Sequence, residues 1–176
     1  MDSVTERACA KINLTLSVGA KRADGYHDIS SVMQTISLCD TLKLTKADTL
    51  TLECSRRSLP TGDTNLAYRA AALFFAKTGI GGGASIYLKK YIPVAAGLGG
   101  GSSDAAAVLR GLNQLYDVGL TSDELCEMGA ELGADVPFCV TGGTALATGI
   151  GELLAPVQNN VTMHFVVTAG GEGAST

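Results

Sequence analysis

The residues best suited to chemistry lie in one glycine-rich stretch, residues 93–104, which has the sequence PVAAGLGGGSSD. An apolar run typical of a strand, residues 84–92, leads into it, and an alanine-rich run typical of a helix, residues 105–112, follows it. Glycine lets backbone N–H groups approach a ligand, and a helix start adds unpaired N–H groups and the positive end of the helix dipole. The stretch therefore predicts a phosphate-binding loop.

Other interpretations of this stretch can be compared on the residues alone. A Walker A loop would end in Gly-Lys-Ser/Thr, and no lysine follows the glycines here. The dinucleotide pattern G-x-G-x-x-G would need its third glycine where Ser102 or Asp104 stands. A glycine-rich turn before a helix, with the serines at the N-cap and Asp104 in the first turn, stays open as a purely structural alternative.

Lys11, Asn13 and Asp135 are further candidates. Side chains alternate between polar and apolar from Lys11 onward within residues 8–18, which predicts a half-buried strand with Lys11 and Asn13 on one face. Asp135 stands in an apolar stretch, where a buried carboxylate needs a cationic partner or a role in chemistry. A solvated strand face and a helix cap are the respective structural alternatives.

Tyr26 and His27 follow a turn signal in the loop at residues 19–28. An aromatic ring beside an imidazole at a loop tip can stack on a base or sugar and form hydrogen bonds to it. Ordinary packing is the more common role of such a pair, so the two residues alone predict no ligand.

The elements that must position these residues follow from apolar periodicity and from cap signals. Strand patterns that together indicate an antiparallel meander occur at residues 29–38, 41–46 and 50–54. Helices are predicted for residues 66–77 with Asp63 or Thr64 as cap, for residues 105–116, and for residues 121–132 with a capping box. A hairpin is predicted for residues 142–152 and a further strand for residues 161–168.

Composition limits the class of protein. A chain of 176 residues is long enough for one domain with a proper core, and its net charge of −4 argues against a general nucleic-acid binder. No apolar run is long enough for a membrane span, and the first residues lack the apolar region of a signal peptide. Five cysteines without a C-x-x-C pair predict neither a zinc site nor a disulfide framework, and suggest a reducing cytosol.

Five segments in order along the chain resemble the GHMP kinases, the family named for galactokinase and homoserine, mevalonate and phosphomevalonate kinases. They are Ala10–Leu14, Arg22–His27, Asn65–Leu66, Ile92–Ala106 and Gly133–Phe138. The long glycine loop combined with the turn Ala-Asp-Gly-Tyr-His makes the match specific. That turn is similar to the branch of the family that binds a cytidine-linked substrate, and a homoserine or mevalonate kinase is the second enzymatic interpretation.

The resemblance implies a catalytic pair formed by Lys11 and Asp135. Asp135 would take the proton from the substrate hydroxyl or orient that group, while Lys11 would keep Asp135 ionised and stabilise charge on the transferred phosphoryl group. The resemblance also implies that Tyr26 and His27 hold the cytidine, with Asn13 near its polar groups.

The implied co-substrate is ATP, and the implied metal is Mg²⁺, which Ser103 would help to hold. Asn65 and Lys90 would lie near the adenine. ATP would further be bound by Pro93, Val94, Ala95, Ala96, Gly97, Leu98, Gly99, Gly100, Gly101, Ser102, Ser103 and Asp104.

The reaction that the resemblance implies is phosphorylation by ATP of the 2-hydroxyl of a cytidine diphosphate-linked methylerythritol, in the non-mevalonate route to isoprenoid precursors and in the cytoplasm. The implied fold is α+β: a GHMP kinase N-terminal domain, similar to domain 2 of ribosomal protein S5, over residues 1–160. Residues 161–176 would be the first strand of a ferredoxin-like C-terminal domain whose remainder is missing. A fragment that binds nucleotide weakly or not at all, or that self-associates through its last strand, is the non-catalytic alternative.

Overall fold

The computed structural model describes residues 2–23 and 25–168, which form one mixed sheet covered by helices. The strands are β1 (Ser3–Lys21), β2 (His27–Ala47), β3 (Thr51–Cys54), β4 (Gly83–Lys89), β5 (Thr144–Thr148) and β6 (Leu153–Pro156). The helices are α1 (Leu66–Thr78), α2 (Gly100–Tyr116), α3 (Ser122–Ala130) and α4 (Val136–Thr141). The predicted α+β class is confirmed.

The long strand β2 organises the sheet because it pairs with three other strands. It runs antiparallel to β1 along almost its whole length, and its other edge pairs antiparallel with β4 and β5. The prediction of two strands at residues 29–38 and 41–46 is therefore wrong, since Cys39 and Asp40 continue the strand. The predicted meander is also wrong for β3, which pairs parallel with β4 after the crossover through α1.

The helix boundaries follow local cap chemistry. Helix α1 is capped by Asn65 rather than Asp63 or Thr64, because the Asn65 side chain accepts a hydrogen bond from the backbone N–H of Ala67 at 2.9 Å. Helix α1 ends at Gly79 and α3 begins with the capping box of Thr121, both as predicted.

Helix α2 begins five residues before its predicted start at residue 105. Its N-cap is Gly99, so Gly100 and Gly101 are helical. Asp104 was predicted in the first turn of the helix, but it lies beyond that turn. Glycine has a low helix propensity, which is why the sequence favoured a loop there. Every residue from Ser103 to Leu109 is buried, because α2 packs against α1 on one side and against the sheet on the other.

Two cysteines correct the expectation that no disulfide forms. Cys9 on β1 and Cys39 on β2 are direct partners in the antiparallel register, and they are joined as a disulfide. Positions along the chain could not indicate this pair, because strand register decides which side chains are opposite each other.

The chain after the helices contains a hairpin formed by β5 and β6, but its second strand follows the predicted range of residues 142–152. The strand predicted for residues 161–168 is not found, since residues 157–168 have no regular secondary structure. The rest of the predicted C-terminal segment, residues 169–176, lies outside the described residues. In the part of the chain that the structure describes, no helix combines the length and apolar character needed to cross a membrane.

Gly111 allows α2 to approach the sheet, and its replacement provides a test of this packing. A Cβ at Gly111 would lie 2.8 Å from Leu44 Cδ1 and 3.1 Å from Glu6 Cγ. We expect Gly111→Ala to lower the free energy of unfolding by about 1–3 kcal/mol in urea denaturation, despite the better helix propensity of alanine. Gly62→Ala, where a Cβ meets nothing within 4 Å, is the control. Equal stability of the two variants would contradict the close packing of α2.

Candidate active site

The glycine-rich stretch forms one wall of an open cavity of about 360 Å³ at the start of α2. The opposite wall comes from the loop before α1 and from its first residues. The residues that line the cavity are Leu59, Pro60, Thr64, Asn65, Leu66, Lys90, Pro93, Val94, Ala95, Ala96, Gly97, Leu98, Gly99, Gly100, Gly101, Ser102 and Asp104. With the exception of Ser103, every residue predicted to bind ATP therefore borders this cavity.

Gly99 is in direct contact with Lys11 of β1. A Cβ at Gly99 would lie 2.9 Å from Lys11 Cγ, and the residue has a φ of 66°, which favours glycine. The backbone N–H of Lys11 also donates a hydrogen bond of 3.0 Å to the carbonyl oxygen of Leu98. The loop therefore lies on the Lys11 side chain.

Lys11 and Asp135 form an ion pair, with 3.3 Å between Lys11 Nζ and Asp135 Oδ2. Lys11 Nζ also donates a hydrogen bond of 3.4 Å to Asn13 Oδ1. The Lys11 side chain is 8% exposed and the Asp135 side chain 32% exposed, so the amine is enclosed while the carboxylate can be reached by a ligand.

The elements that bring this pair together are β1 and the turn before α4. The register between β1 and β2 shifts between Cys9 and Lys11, and such irregularities commonly redirect a side chain. Asp135 occupies the N-cap position of α4 but makes no side-chain cap hydrogen bond. The capping alternative for Asp135 is therefore wrong, since its carboxylate faces Lys11.

Ser103, the predicted Mg²⁺ ligand, does not fit that role. Its side chain is buried, and its hydroxyl donates a hydrogen bond to the carbonyl oxygen of Cys9. The preceding Ser102 is the serine that borders the cavity. Consecutive residues of a helix point in different directions, so the doublet places one hydroxyl in the cavity and the other in the core.

A second charged cluster lies beneath the loop and was not predicted. The Lys90 amine is bound between two buried carboxylates, Asp40 Oδ2 and Asp104 Oδ2, the latter at 2.7 Å. Asp40 is fully buried in β2, where its Oδ1 accepts hydrogen bonds from the backbone N–H groups of Tyr91 and Ile92. Asp40 lies between the two strands predicted at residues 29–38 and 41–46, and no local pattern indicated that it is buried.

The pKa values in this cluster are shifted by burial and by the neighbouring charges. Burial is the largest influence on Asp104, whose pKa is raised to about 7 although the Lys90 ammonium lowers it; the Asp40 carboxylate adds to the increase. Burial lowers the pKa of Lys90, but Asp104 and Asp40 raise it by more, so its net shift is upward. Lys90, which was predicted to lie near the adenine, thus borders the cavity, and its amine is bound to two carboxylates.

Asn65, also predicted near the adenine, borders the cavity as the cap of α1. Its carboxamide oxygen is bound to the N–H of Ala67, and its amide nitrogen donates to the carbonyl oxygen of Pro60 at 2.8 Å. The side chain therefore fixes the loop before α1 against the helix start, and this loop forms the cavity wall opposite the glycines.

Tyr26 and His27 lie at the far end of the β1–β2 ladder and are exposed. His27 Nδ1 is 3.1 Å from the carbonyl oxygen of Gly19 across the hairpin. The residue that pairs with Lys11 is Thr35, which is roughly 25 Å from His27 along β2 at the usual rise of a strand. The structure thus unites the loop with Lys11, Asn13 and Asp135, and leaves Tyr26 and His27 at a distance.

Comparison with known proteins agrees with this geometry. Residues 65–143 match the family model described as GHMP kinases N terminal domain. A crystal structure of 4-(cytidine 5'-diphospho)-2C-methyl-D-erythritol kinase superposes with a TM-score of 0.75 at 44% identity, covering 88% of this chain and 55% of that chain. Residues 65–143 therefore have the fold of a GHMP kinase N-terminal domain. The predicted family and its N-terminal fold are therefore confirmed.

Curated relatives of this GHMP kinase domain are similar over nearly all of its length. The 4-diphosphocytidyl-2-C-methyl-D-erythritol kinase of Brevibacillus brevis is 56% identical over 98% of this chain and 60% of its own length. The enzyme of the same name from Bacillus licheniformis is 51% identical over 98% of this chain and 61% of its own length. The chain thus spans about three-fifths of the length of these relatives.

The contact between Gly99 and Lys11 can be separated from backbone strain by a pair of variants. Gly97 and Gly99 have φ values of 70° and 66°, but a Cβ at Gly97 would meet nothing within 4 Å. Both alanine variants incur the left-handed strain, and only Gly99→Ala also displaces Lys11. We expect Gly99→Ala to lose about 1–3 kcal/mol more stability than Gly97→Ala in urea denaturation. Equal losses of stability in the two variants would contradict this prediction, because they would show that the Lys11 side chain moves aside without destabilising the fold.

The pKa of Asp104 predicts how stability depends on pH. A carboxyl group whose pKa rises from about 4 in the unfolded chain to about 7 on folding stabilises the fold below pH 4, and this contribution is lost as the pH rises through 7. The free energy of unfolding of the wild type, relative to Asp104→Asn, should therefore fall by a few kcal/mol between pH 4 and pH 8. A constant or rising difference in chemical denaturation would contradict the shift.

Proposed function

We propose that this chain provides the nucleotide-binding and proton-transfer groups of a 4-diphosphocytidyl-2-C-methyl-D-erythritol kinase. The reaction is the transfer of the terminal phosphoryl group of ATP to the 2-hydroxyl of that cytidine-linked substrate, which belongs to isoprenoid precursor biosynthesis in the cytoplasm. The observation that carries the proposal is the Lys11–Asp135 ion pair directly beside a glycine loop at a helix start. The names of the curated relatives support the choice of substrate.

In the proposed chemistry, the Lys11–Asp135 pair accepts the proton of the substrate and stabilises the transferred charge. Asp135, the more exposed member of the pair, accepts the proton of the 2-hydroxyl as the oxygen attacks the phosphorus atom of the γ-phosphate, and ADP leaves. Lys11 keeps Asp135 ionised and stabilises the negative charge on the transferred group. Asn13 holds the amine of Lys11 in place through its hydrogen bond.

The proposed nucleotide site is the cavity beside α2. The backbone N–H groups of the glycine loop and of the first turn of α2 bind the phosphates, because they are unpaired within the helix and lie at its positive end. The apolar side chains of Leu59, Pro60 and Leu66 provide a surface on which the adenine can pack. Asn65 supports this wall through its hydrogen bonds to Pro60 and Ala67. The Lys90 amine is bound to Asp40 and Asp104 rather than to the base.

Phosphoryl transfer from ATP commonly uses Mg²⁺, which binds mainly to phosphate oxygens and water with one or two protein ligands. We propose Mg²⁺ as the companion of ATP, with Ser103 excluded as its ligand by the buried hydrogen bond to Cys9. Ser102 is proposed in its place, because it is the serine of the loop that borders the cavity. Within the described residues, no group of three or more His, Cys, Asp or Glu side chains is arranged around a metal site.

The cytidine of the substrate is proposed to lie against Tyr26 and His27. Their exposure at the hairpin end supports this proposal, because a ring that binds a base must be accessible. Their distance from Lys11 requires an extended substrate along the β1–β2 ladder, and a cytidine diphosphate linked to a sugar alcohol is such a molecule. We also propose the division into an N-terminal domain, residues 1–160, and the start of a second domain, residues 161–176.

A second candidate is a nucleotide-binding part of such a kinase that does not turn over by itself. The observation in its favour is that the chain spans about three-fifths of its relatives' length. The exposed apolar side chains Leu14, Leu16 and Val18 on β1 also favour association with another polypeptide surface, including a second copy of the chain. In this candidate the loop binds ADP, and no phosphoryl transfer follows.

Asp135→Asn tests the proposed function. We expect it to lower ADP formation from ATP, Mg²⁺ and the cytidine-linked substrate by at least about 100-fold, because the proton acceptor is lost. The affinity for ADP, measured by calorimetry, should change by less than about threefold, since Asp135 does not line the nucleotide cavity. Asp123→Asn, an exposed carboxylate in the first turn of α3, is the matched control and should retain activity.

The outcomes separate the two candidates. Turnover by the unaltered chain that survives Asp135→Asn would refute the proposed mechanism. Binding of ADP without any turnover would support the second candidate. Preference for an alcohol without the cytidine group would instead assign the chain to another GHMP kinase, and absence of nucleotide binding would refute the proposed nucleotide site.

A further inference from the structure

The carboxyl group of Asp104 has one oxygen without a partner. Asp104 Oδ2 binds the Lys90 amine at 2.7 Å, whereas Oδ1 is the one buried side-chain oxygen or nitrogen atom among the described residues that has no hydrogen-bond partner. The residue is 3% exposed, so bulk solvent has little access to this oxygen. An ionised carboxylate with an unpaired buried oxygen is costly, and a proton removes that cost.

The charges around Asp104 do not balance when both carboxylates are ionised. Asp40 has both its oxygens bound, to Lys90 and to two backbone N–H groups, whereas Asp104 has only one oxygen bound. One ammonium then faces two carboxylates, so the cluster carries a net charge of −1 in a buried place. Protonation of Asp104, the less well bound carboxylate, brings that charge to zero.

Two cations beside α2 are already paired with other carboxylates. The amine of Lys11, beside Gly99, is bound to Asp135. Further along the helix, Arg110 pairs with Glu6 of β1. The start of α1, which also faces this end of α2, presents the uncharged cap Asn65. Burial aside, Lys90 is, among the described groups, the cation that lowers the pKa of Asp104, and Asp40 is the carboxylate that raises it.

The cluster lies against the cavity in which the proposed function places the nucleotide. Both Lys90 and Asp104 are lining residues. Lys90 Nζ is 3.4 Å from the position that a Cβ on Gly100 would take, in the first turn of α2. A phosphate group held by the loop would therefore add negative charge within a few ångströms of the buried carboxylates.

We propose that nucleotide binding in this cavity is coupled to protonation of Asp104, so that the chain takes up a proton from solvent as the anionic ligand binds. This inference rests on the proposed nucleotide site. It adds the uptake of a proton by Asp104, which neither phosphate binding by the loop nor proton transfer by the Lys11–Asp135 pair requires. The proton binds the Asp104 carboxyl group, no covalent bond of the nucleotide changes, and the buried cluster becomes neutral beside the phosphates.

The physical basis is the mutual repulsion of charges at short range in a partly buried site. The pKa of Asp104 is already raised to about 7 in the absence of ligand, because of its burial. Negative phosphate charge at a distance of several ångströms raises the pKa of a neighbouring carboxyl group by about one unit or more. Asp104 therefore changes from mostly ionised to about half protonated on ligand binding near pH 8, which is a measurable uptake.

Calorimetric titration with ADP at pH 8 tests the coupling. Repeating the titration in buffers of different ionisation enthalpy gives the number of protons taken up, and at this pH the phosphates of ADP are themselves ionised. We expect the chain to take up about half a proton per ADP, and its affinity to fall about threefold per pH unit near pH 8. Asp104→Asn, which has nearly the same shape and no titration, should bind ADP with neither effect.

The matched control is Asp117→Asn at the opposite end of the same helix. Asp117 is exposed and has a φ of 53°, a conformation that asparagine also adopts. This variant should take up the same fraction of a proton as the unaltered chain. Circular dichroism establishes that each variant is folded, and ADP-induced infrared difference spectra of the unaltered chain should show the carbonyl band of a newly protonated carboxylic acid even if Asp104→Asn does not fold.

The possible results are distinct. Binding of ADP without proton uptake, or uptake that persists in Asp104→Asn, would overturn the coupling and leave the proposed nucleotide site intact. Absence of ADP binding by the unaltered chain would refute the proposed site and the coupling with it. Uptake that is lost in Asp104→Asn and retained in Asp117→Asn would establish Asp104 as the group that receives the proton.

Discussion

The contact of the glycine loop with the Lys11 side chain is the constraint on which the rest of the site depends. The absence of a side chain at Gly99 lets the start of α2 lie on the stem of Lys11, and the hydrogen bond between Lys11 and Leu98 fixes the loop to β1. The same strand therefore carries the amine that pairs with Asp135 and supports the loop that borders the cavity. The proposed phosphate binding and proton transfer would require such proximity, because phosphoryl transfer depends mainly on positioning and charge.

The buried cluster below the loop complements this contact from the other side. Asp40, Lys90 and Asp104 connect β2, the end of β4 and α2, so a strand from early in the chain is joined to two later elements beneath one helix start. Buried charges of this kind contribute little net stability compared with apolar packing, but they define one arrangement of their elements. In this fold they also place a titratable group next to the place where a ligand's charge would be bound.

Local features were predicted from the sequence more accurately than long-range ones. The end of α1 at Gly79 and the capping box of Thr121 depend on neighbouring residues, and both were predicted correctly. The start of α2 was misplaced because the packing of α2 against the sheet and α1 overrides the low helix propensity of glycine. The continuity of β2 through Asp40, the direction of β3 and the Cys9–Cys39 pair depend on which strands are neighbours, and no local pattern contains that information. The proximity of Lys11 and Asp135 was expected only from the resemblance to the GHMP kinases. The directions of the Ser102 and Ser103 side chains could not be predicted, because they depend on where α2 begins.

The pairing of β2 with three strands has a consequence for how this domain can change in length. Insertions at the tip between β1 and β2 add exposed residues to both strands and leave the pairing of Lys11 with Thr35 unaltered. One residue added between Thr35 and Asp40 would instead exchange the two faces of part of β2, because strand side chains alternate. Asp40 would then leave the core, and the pairs with β4 or β5 would be lost. The hairpin tip can therefore change in length, whereas the centre of the sheet admits substitutions only.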